Sequence, residues 1–135
     1  MPGADETLAV AGVWVKKAEN DLVLAVHALK LGKKCPTDTV CFHAQQCIEK
    51  YLKAFLISKG TEFPKTHNIG ELLVLMPSSI TVSLSPEEQE RMTDYATVAR
   101  YPGIYDDISM AETRKAVVIA RRVRKELRAI LPKMP

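Results

Sequence analysis

The sequence predicts an all-α protein, an up-and-down antiparallel bundle of four long helices and one short helix. Three observations favour this class. Apolar residues recur at steps of three and four along most of the chain, which is the spacing of one helix face. Glycine, proline and capping residues divide these stretches into five segments with short connections, as in a bundle. No stretch shows the strict alternation of apolar and polar residues that indicates a half-buried strand.

The first two helices are predicted over residues 8–31 and from Thr37 or Asp38 to Lys59, and each is followed by a glycine that can end it. Thr37 or Asp38 is the candidate N-cap of the second helix. The apolar stripe of the first helix consists of Val10, Trp14, Ala18, Leu22, Ala25 and Leu29. That of the second consists of Val40, Ala44, Cys47, Tyr51 and Phe55.

The remaining three helices begin at capping signals, in which a capping side chain precedes a glutamate by three residues. These signals are Asn68-Ile-Gly-Glu71, Ser85-Pro-Glu-Glu88 and Ser109-Met-Ala-Glu112. The short third helix is predicted to end near Met76. The fourth should end at about Arg100, because Pro102 disfavours helical geometry at Tyr101. The last should reach Leu131, with an apolar stripe of Ala116, Ala120, Val123, Leu127 and Ile130.

Length and composition indicate one globular domain. The 135 residues suffice for a single core, which we expect over residues 8–131 of a domain spanning 1–135. A hydrophobic fraction of 47% with 26% charged residues excludes a disordered chain. No apolar run approaches the ~20 residues that cross a bilayer, and the acidic N-terminal segment does not resemble a secretory signal. We therefore expect a cytoplasmic protein with no membrane contact.

The three cysteines favour reduced thiols. Cys41 and Cys47 lie in one predicted helix with about 9 Å of rise between them, too far for a disulfide. Cys35 could form a disulfide only with a cysteine across the turn that precedes that helix. Buried reduced thiols are the preferred interpretation and agree with a cytoplasmic location.

Polar residues on the second helix are candidates for chemistry. His43, Gln46, Lys50 and Lys53 fall on one side of it, and Glu49 is placed to pair with Lys53 at a spacing of four. Two interpretations remain. The face is either exposed and salt-bridged, or it takes part in a buried polar network or a contact with an arginine.

No metal or cofactor site is predicted. His43 and Cys47 have the spacing of two ligands on one helix, but no Cys-x-x-Cys or His-x-x-x-His pair accompanies them. Asp106 and Asp107 are a weak signal for a divalent cation, since acids are also favoured before a helix N-terminus. A glycine-rich phosphate loop and a serine nucleophile motif are both missing from the sequence.

The predicted last helix is rich in basic residues, although the formal net charge of the chain is only +3. The basic residues are Arg114, Lys115, Arg121, Arg122, Arg124, Lys125 and Arg128. Such a helix can attract phosphate. It can equally be a solvated face on which cations are favoured near the helix C-terminus.

Three motifs follow one another along the chain. The first is Phe42-His-Ala-Gln-Gln-Cys-Ile-Glu-Lys-Tyr-Leu-Lys-Ala54 on the second helix. The next is His67-Asn-Ile-Gly-Glu-Leu-Leu73 at the short helix, and the last is Arg100-Tyr-Pro102 where the fourth helix ends. In this order they resemble the HEPN family of small all-helical domains. The resemblance extends over about residues 13–131.

The resemblance implies a homodimer that acts with a minimal nucleotidyltransferase in a two-protein, toxin–antitoxin-like system. It implies that nucleotide or RNA phosphate binds in a cleft around Arg100. The residues that it nominates for nucleotide or RNA binding are Arg100, Tyr101, Tyr105, Gln46, Glu49 and Lys53. It also implies that a partner enzyme nucleotidylates Tyr101 or Tyr105, as happens to a tyrosine near this motif in some relatives.

Several HEPN relatives are metal-independent ribonucleases that use an arginine followed, four to six residues later, by a histidine. Arg100 matches that arginine, and no histidine follows His67. The residues at the three spacings are Tyr105, Asp106 and Asp107. A tyrosine, with an ordinary pKa of ~10, is a poor substitute for a group that titrates near neutrality. Two alternatives therefore stand beside phosphate binding: an endoribonuclease using Arg100, with His43 or His67 as its histidine, and a non-catalytic dimerisation module.

Overall fold

Five α-helices joined by short segments form the structure, a computed structural model that describes residues 3–103 and 106–134. The helices are α1 (Ala4–Leu29), α2 (Thr37–Ser58), α3 (Ile69–Val74), α4 (Pro86–Ala96) and α5 (Met110–Ile130). Single 3₁₀ turns occupy Gly32–Lys34 and Val98–Arg100. The described residues contain no strand and no helix both long and apolar enough to cross a membrane. The all-helical prediction is confirmed.

Helix α2 is the centre of the bundle and packs against the other four helices. All five residues of its predicted stripe are buried, and so are polar residues on its other faces. Aromatic and aliphatic side chains such as Tyr51 and Phe55 are fully enclosed, each contributing about 1.5–3 kcal/mol through burial. More of α2 is therefore buried than its apolar stripe predicts, because neighbouring helices cover it on several sides.

The stripes of the outer helices are confirmed except near their ends. In α1, Ala18, Leu22 and Ala25 are buried, but Val10 is 49% exposed. In α5 the stripe is buried as far as Leu127, but Ile130 is 37% exposed. Neighbouring elements do not extend far enough to cover these outermost turns.

Helix starts follow the predicted caps with two differences. Ser85 and Glu88 form the complete reciprocal capping box, whereas Asn68 and Ser109 only accept the backbone N–H of the residue three positions on. The N-cap of α2 is Pro36, without a side-chain hydrogen bond, so the predicted cap at Thr37 or Asp38 is wrong. The Asp38 carboxylate instead accepts the N–H of Thr39, its immediate neighbour.

The end of α4 sets the direction of the residues after it. The helix stops at Ala96, because the backbone at Thr97 leaves the helical region with φ −122° and ψ −96°. A 3₁₀ turn over Val98–Arg100 follows, where the sequence predicted that α4 itself continues to Arg100. This break lets Arg100 turn toward the first turns of α2.

All three cysteines are free thiols, as predicted. Cys41 and Cys47 are buried in the core, and Cys35 is half-buried. Burial raises the pKa of Cys41 to about 11 and raises that of Cys47 further. Both side chains therefore remain protonated and serve as packing groups.

Candidate functional site

Arg100 lies exposed on the 3₁₀ turn after α4, with its guanidinium stacked on an aromatic ring. The carbon Cζ is 4.0 Å from the ring centroid of Phe42, on the second turn of α2. Within the described part of the chain, no carboxylate pairs with this guanidinium. The stacking holds its plane while its five N–H donors stay available to another acceptor.

Arg100 borders a surface cleft of about 390 Å³ between the 3₁₀ turn, the start of α2 and the segment that leads into α5. We call it the Arg100 cleft. Its charged lining is one cation, Arg100, and three carboxylates, Asp38, Asp106 and Asp107. Such a lining repels an extended polyanion, since like charges at these distances are incompletely screened. Over residues 3–103 and 106–134, no group of three or more metal-ligating side chains forms here or elsewhere.

The turn that carries Arg100 also carries Tyr101, one of the two tyrosines predicted to bind the ligand. Tyr101 lines the Arg100 cleft and is 60% exposed, and Val98, three residues earlier on the turn, is 40% exposed. Tyr105 lies outside the described residues. The turn therefore presents an exposed aromatic and an exposed aliphatic side chain next to the guanidinium.

Gln46, Glu49 and Lys53, also predicted to bind the ligand, form a buried network on α2. The Glu49 carboxylate accepts hydrogen bonds from Gln45 Nε2 at 3.0 Å, Gln46 Nε2 at 3.4 Å and Lys53 Nζ at 2.9 Å. It also accepts one from His67 Nδ1 at 2.8 Å. We call this the Glu49 network. None of its members lines the Arg100 cleft.

The environment of the Glu49 network is that of a structural element. The side chains of Glu49 and Lys53 are only 4% and 9% exposed, and Lys53 Nζ lies over the rings of Trp14 and Phe63 at 5.6 and 5.7 Å. Burial alone would raise the pKa of Glu49, but hydrogen bonds from Gln45, His67 and Lys53 outweigh it and lower that pKa. Of the two interpretations of this face, the structure shows the buried network.

A second carboxylate–histidine pair lies on the side of α2 that faces α1. His43 Nδ1 is 2.7 Å from Asp21 Oδ1, and Lys50 Nζ is 2.7 Å from Asp21 Oδ2. The His43 ring contacts that of Phe42 edge-on, with centroids 5.4 Å apart. Arg100, Phe42, His43 and Asp21 therefore make successive contacts, which the sequence did not predict. The available signal was an aspartate next to Leu22 on the apolar stripe of α1.

Comparison with known proteins identifies the fold family. A family model described as "HEPN domain" matches residues 11–130. The chain belongs to the HEPN family. Its structure is similar to the crystal structure of TT1696 from Thermus thermophilus, with a TM-score of 0.74 and 24% identity over 91% of this chain and 99% of that one. It is also similar to ST0689, an archaeal HEPN homologue, with a TM-score of 0.68 and 26% identity over 89% and 96%. No curated protein sequence matches it.

The basic α5 of this HEPN domain is partly neutralised by neighbouring helices. Arg122 pairs with Glu88 at 2.7 Å, and Arg124 binds both oxygens of Glu19 at 2.7 Å. Arg128 adds a longer 3.4 Å contact to Glu19. The two arginines beside Glu19, with Arg121, Lys125 and His27, line a groove of about 620 Å³ between α1 and α5. Some basic residues of α5 are therefore neutralised by ion pairs, whereas others, such as Arg121 and Lys125, line the groove and can attract anions.

Proposed function

We propose that this HEPN domain binds a phosphate group of a nucleotide or of RNA at Arg100. The observation that carries the proposal is the guanidinium stacked on Phe42 at 4.0 Å without a carboxylate partner in the described residues. Arginine N–H groups match pairs of phosphate oxygens, and charge-assisted hydrogen bonds of this kind are strong. Because the ring already holds the guanidinium, less side-chain entropy is lost when a ligand binds.

The acidic lining of the cleft restricts which phosphate fits. Asp38, Asp106 and Asp107 oppose any further negative charge deep in the Arg100 cleft. A single phosphate at the rim, directly against Arg100, avoids most of this repulsion. We therefore propose that the ligand presents one phosphate, either a terminal group or one phosphodiester, and that its other phosphates lie outside the cleft.

The proposal extends to the assembly in which the domain works. Residues 1–135 would form one domain, and two copies would associate through the turn that carries Arg100. Support for this interface comes from the exposed Tyr101 and Val98, since a second copy would cover both side chains. As the resemblance of the three motifs implies, we propose a minimal nucleotidyltransferase as the second protein of a cytoplasmic, toxin–antitoxin-like system. Nucleotidylation of Tyr101 or Tyr105 is the modification to look for.

The predicted ligand contacts of Gln46, Glu49 and Lys53 are not part of this proposal. These side chains bond to one another and are less than a tenth exposed. They support the site by fixing α2, the helix that carries Phe42. Direct contact with a ligand remains a prediction from the family resemblance.

Binding of a 3′-fluorescein-labelled RNA 12-mer with a 5′-phosphate, followed by anisotropy in EDTA, tests the phosphate site. Arg100→Ala should weaken binding about 10- to 100-fold, since one charge-assisted interaction contributes about 1.5–3 kcal/mol. Arg121→Ala, in the groove between α1 and α5, is the matched control for loss of a surface cation and should change affinity less. Equal affinities for the wild type and Arg100→Ala would refute the proposed site.

Separate measurements test the assembly. Sedimentation velocity should show a dimer for the wild type and a monomer for Tyr101→Asp, which places a charge in the proposed interface. Co-expression with a minimal nucleotidyltransferase should raise the intact mass of this chain by one nucleotidyl group. An unchanged mass in the presence of active partner would argue against modification of either tyrosine.

A further inference from the structure

We propose that the groove between α1 and α5 is a docking site for an acidic amphipathic helix of another protein. This α1–α5 groove has a volume of about 620 Å³ and shares no lining residue with the Arg100 cleft. The inference is therefore independent of phosphate binding at Arg100, and it gives the domain a second binding surface.

Aliphatic side chains of α1 form one side of the α1–α5 groove. Leu22, Val23 and Val26 line it, and Val23 is 56% exposed. Leu24 on α1 and Val118 on α5, each within one helical turn of a lining residue, are 51% and 61% exposed. Exposed aliphatic side chains that continue from a groove in this way are typical of a surface that another protein covers.

Cations on one face of α5 form the other side. Arg121, Lys125 and Arg128 recur at steps of four and three, so they are neighbours along the helix surface. Arg121 and Lys125 make no hydrogen bond or ion pair with any residue that the structure describes. Arg128 makes only long contacts, 3.4 Å to Glu19 Oε1 and 3.4 Å to Tyr51 Oη. The three cations therefore remain able to bind acceptors from a partner.

The one carboxylate that lines the groove is already neutralised. Glu19 accepts hydrogen bonds from Nε and Nη2 of Arg124, each at 2.7 Å, and from Tyr51 Oη at 2.6 Å. The hydrogen bonds from Arg124 lower the pKa of Glu19, so the carboxylate stays ionised and cancels the charge of that arginine. The other three cations of α5 give the groove its net positive charge.

The α1–α5 groove has the length of about two helical turns. Helix α1 lines it from Glu19 to His27 and α5 lines it from Arg121 to Arg128, which correspond to about 12 and 10.5 Å of helical rise. A third helix laid along the groove presents its side chains at the same steps of three and four. Acidic side chains on one stripe of that helix would pair with the cations of α5, and apolar side chains beside them would cover the aliphatic side of α1.

The same surface is a poor match for nucleic acid. Among the described residues that line the groove there is no aromatic side chain, so bases have no ring on which to stack. A phosphate backbone would also leave the exposed Val23, Leu24 and Val118 without an apolar partner. An acidic amphipathic helix supplies both carboxylates and apolar side chains, and it therefore complements the groove in charge and in hydrophobicity.

Binding of a synthetic helix to the full chain, followed by fluorescence anisotropy, tests the proposal. The probe is a fluorescein-labelled peptide of about 18 residues, long enough to form a helix, with glutamates on one stripe and leucines beside it. A control peptide carries glutamines in place of the glutamates. The acidic peptide should bind at least about tenfold more tightly than the control, and its affinity should fall as the salt concentration rises. Absence of binding at about 1 mM protein overturns the proposal.

Charge reversal in the groove tests where the acidic peptide binds. Arg121→Glu combined with Lys125→Glu should weaken binding at least about tenfold, because repulsion replaces attraction at two positions. Lys33→Glu combined with Lys34→Glu makes the same change in net charge on the exposed turn after α1, and it should change affinity less than about threefold. Equal losses in the two double variants would show that only net charge matters, which overturns the docking site.

Two single variants test the aliphatic side and the carboxylate of the groove. Val23→Ser removes exposed apolar surface and should weaken binding about threefold. Glu19→Gln keeps an acceptor for Arg124 but removes the only negative charge among the lining residues, so affinity for the acidic peptide should rise about two- to threefold. A purely structural role of Glu19 does not produce tighter binding. Weaker binding by a Glu19→Gln protein with the wild-type circular dichroism spectrum contradicts the proposed electrostatics.

NMR spectra of the ¹⁵N-labelled chain separate this inference from the proposed function. The acidic peptide should shift amide resonances of residues 19–27 and 118–128, and Arg100→Ala should bind it with wild-type affinity. The RNA 12-mer should instead shift resonances around Arg100. An RNA that shifts the groove resonances and displaces the peptide would assign the groove to nucleic acid and overturn this inference. Failure of RNA to bind at Arg100 would overturn only the proposed function.

Discussion

Helix α2 carries two carboxylate–histidine pairs whose local chemistry is alike and whose surroundings differ. In each, the histidine Nδ1 contacts a carboxylate that also binds a lysine, Asp21 with Lys50 and Glu49 with Lys53. Glu49 is buried and accepts two further hydrogen bonds from glutamines, and its lysine is enclosed by aromatic rings. Lys50 and His43 both remain partly exposed, and His43 contacts the ring of Phe42, on which Arg100 stacks.

The difference teaches that a polar cluster must be interpreted through its neighbours. A buried carboxylate that satisfies four donors stabilises a helix bundle, because removing it leaves those donors unpaired. A carboxylate shared by two partly exposed side chains costs less to lose. It instead orients His43, whose ring contacts that of Phe42. The Glu49 network therefore stabilises the bundle, whereas the two partners of Asp21, His43 and Lys50, remain within reach of solvent.

The largest expected effect is a difference in stability between the two carboxylates. Glu49→Gln leaves the buried Lys53 ammonium without its counter-charge, which should lower the free energy of unfolding by about 3–5 kcal/mol. Asp21→Asn should cost about 0.5–1.5 kcal/mol, because its partners reach solvent. Urea denaturation followed by circular dichroism measures both. Equal losses of unfolding free energy in the two variants would show that the Asp21 pair stabilises the fold as much as the Glu49 network does.

Acid should remove the contribution that the ionised Glu49 carboxylate makes to the stability of the fold. The folded-state pKa of Glu49 lies below its ordinary value of 4.5, so the unfolded chain takes up a proton first. The stability that this provides is fully present above pH 4.5 and is lost as the pH falls toward the lower folded-state pKa. Glu19 and Glu88 also have lowered pKa values and add to the decline.

The slope of stability against pH below 4.5 should therefore be shallower in Glu49→Gln than in the wild type. Glu62→Gln replaces an exposed glutamate outside the network and should keep the wild-type slope. Denaturation midpoints measured at successive pH values provide the comparison. Identical slopes in all three proteins would show that Glu49 is not part of the acid response.

Most of the fold could be predicted because its determinants are local. Apolar spacing and capping residues located the five helices to within a few residues, and the Ser85 capping box formed as predicted. The failures have tertiary causes. No local pattern indicated that Thr97 would break α4 before Arg100, or that α2 would be covered on several faces.

The candidate site could be predicted only in part, because its residues come from separate elements. The motif at Arg100 was identified, and so was the polarity of α2. Periodicity on one helix does not specify which residue of another helix it meets, so Asp21 was not paired with His43. For the same reason, Gln46 and Glu49 were grouped with Arg100, whereas the structure places them in a network that includes His67.

The smallest expected effect concerns the ring between Arg100 and His43. Phe42→Leu keeps an apolar side chain but removes the aromatic face, and a cation–π contact at an exposed site contributes about 0.5–1 kcal/mol. RNA affinity should therefore fall about two- to fivefold. Phe63→Leu removes a ring beside Lys53 in the other cluster and is the matched control. It should reduce stability more than affinity, since Lys53 is buried. A larger loss of affinity in Phe63→Leu would place the ligand at the Glu49 network and reverse the assignment of the two pairs.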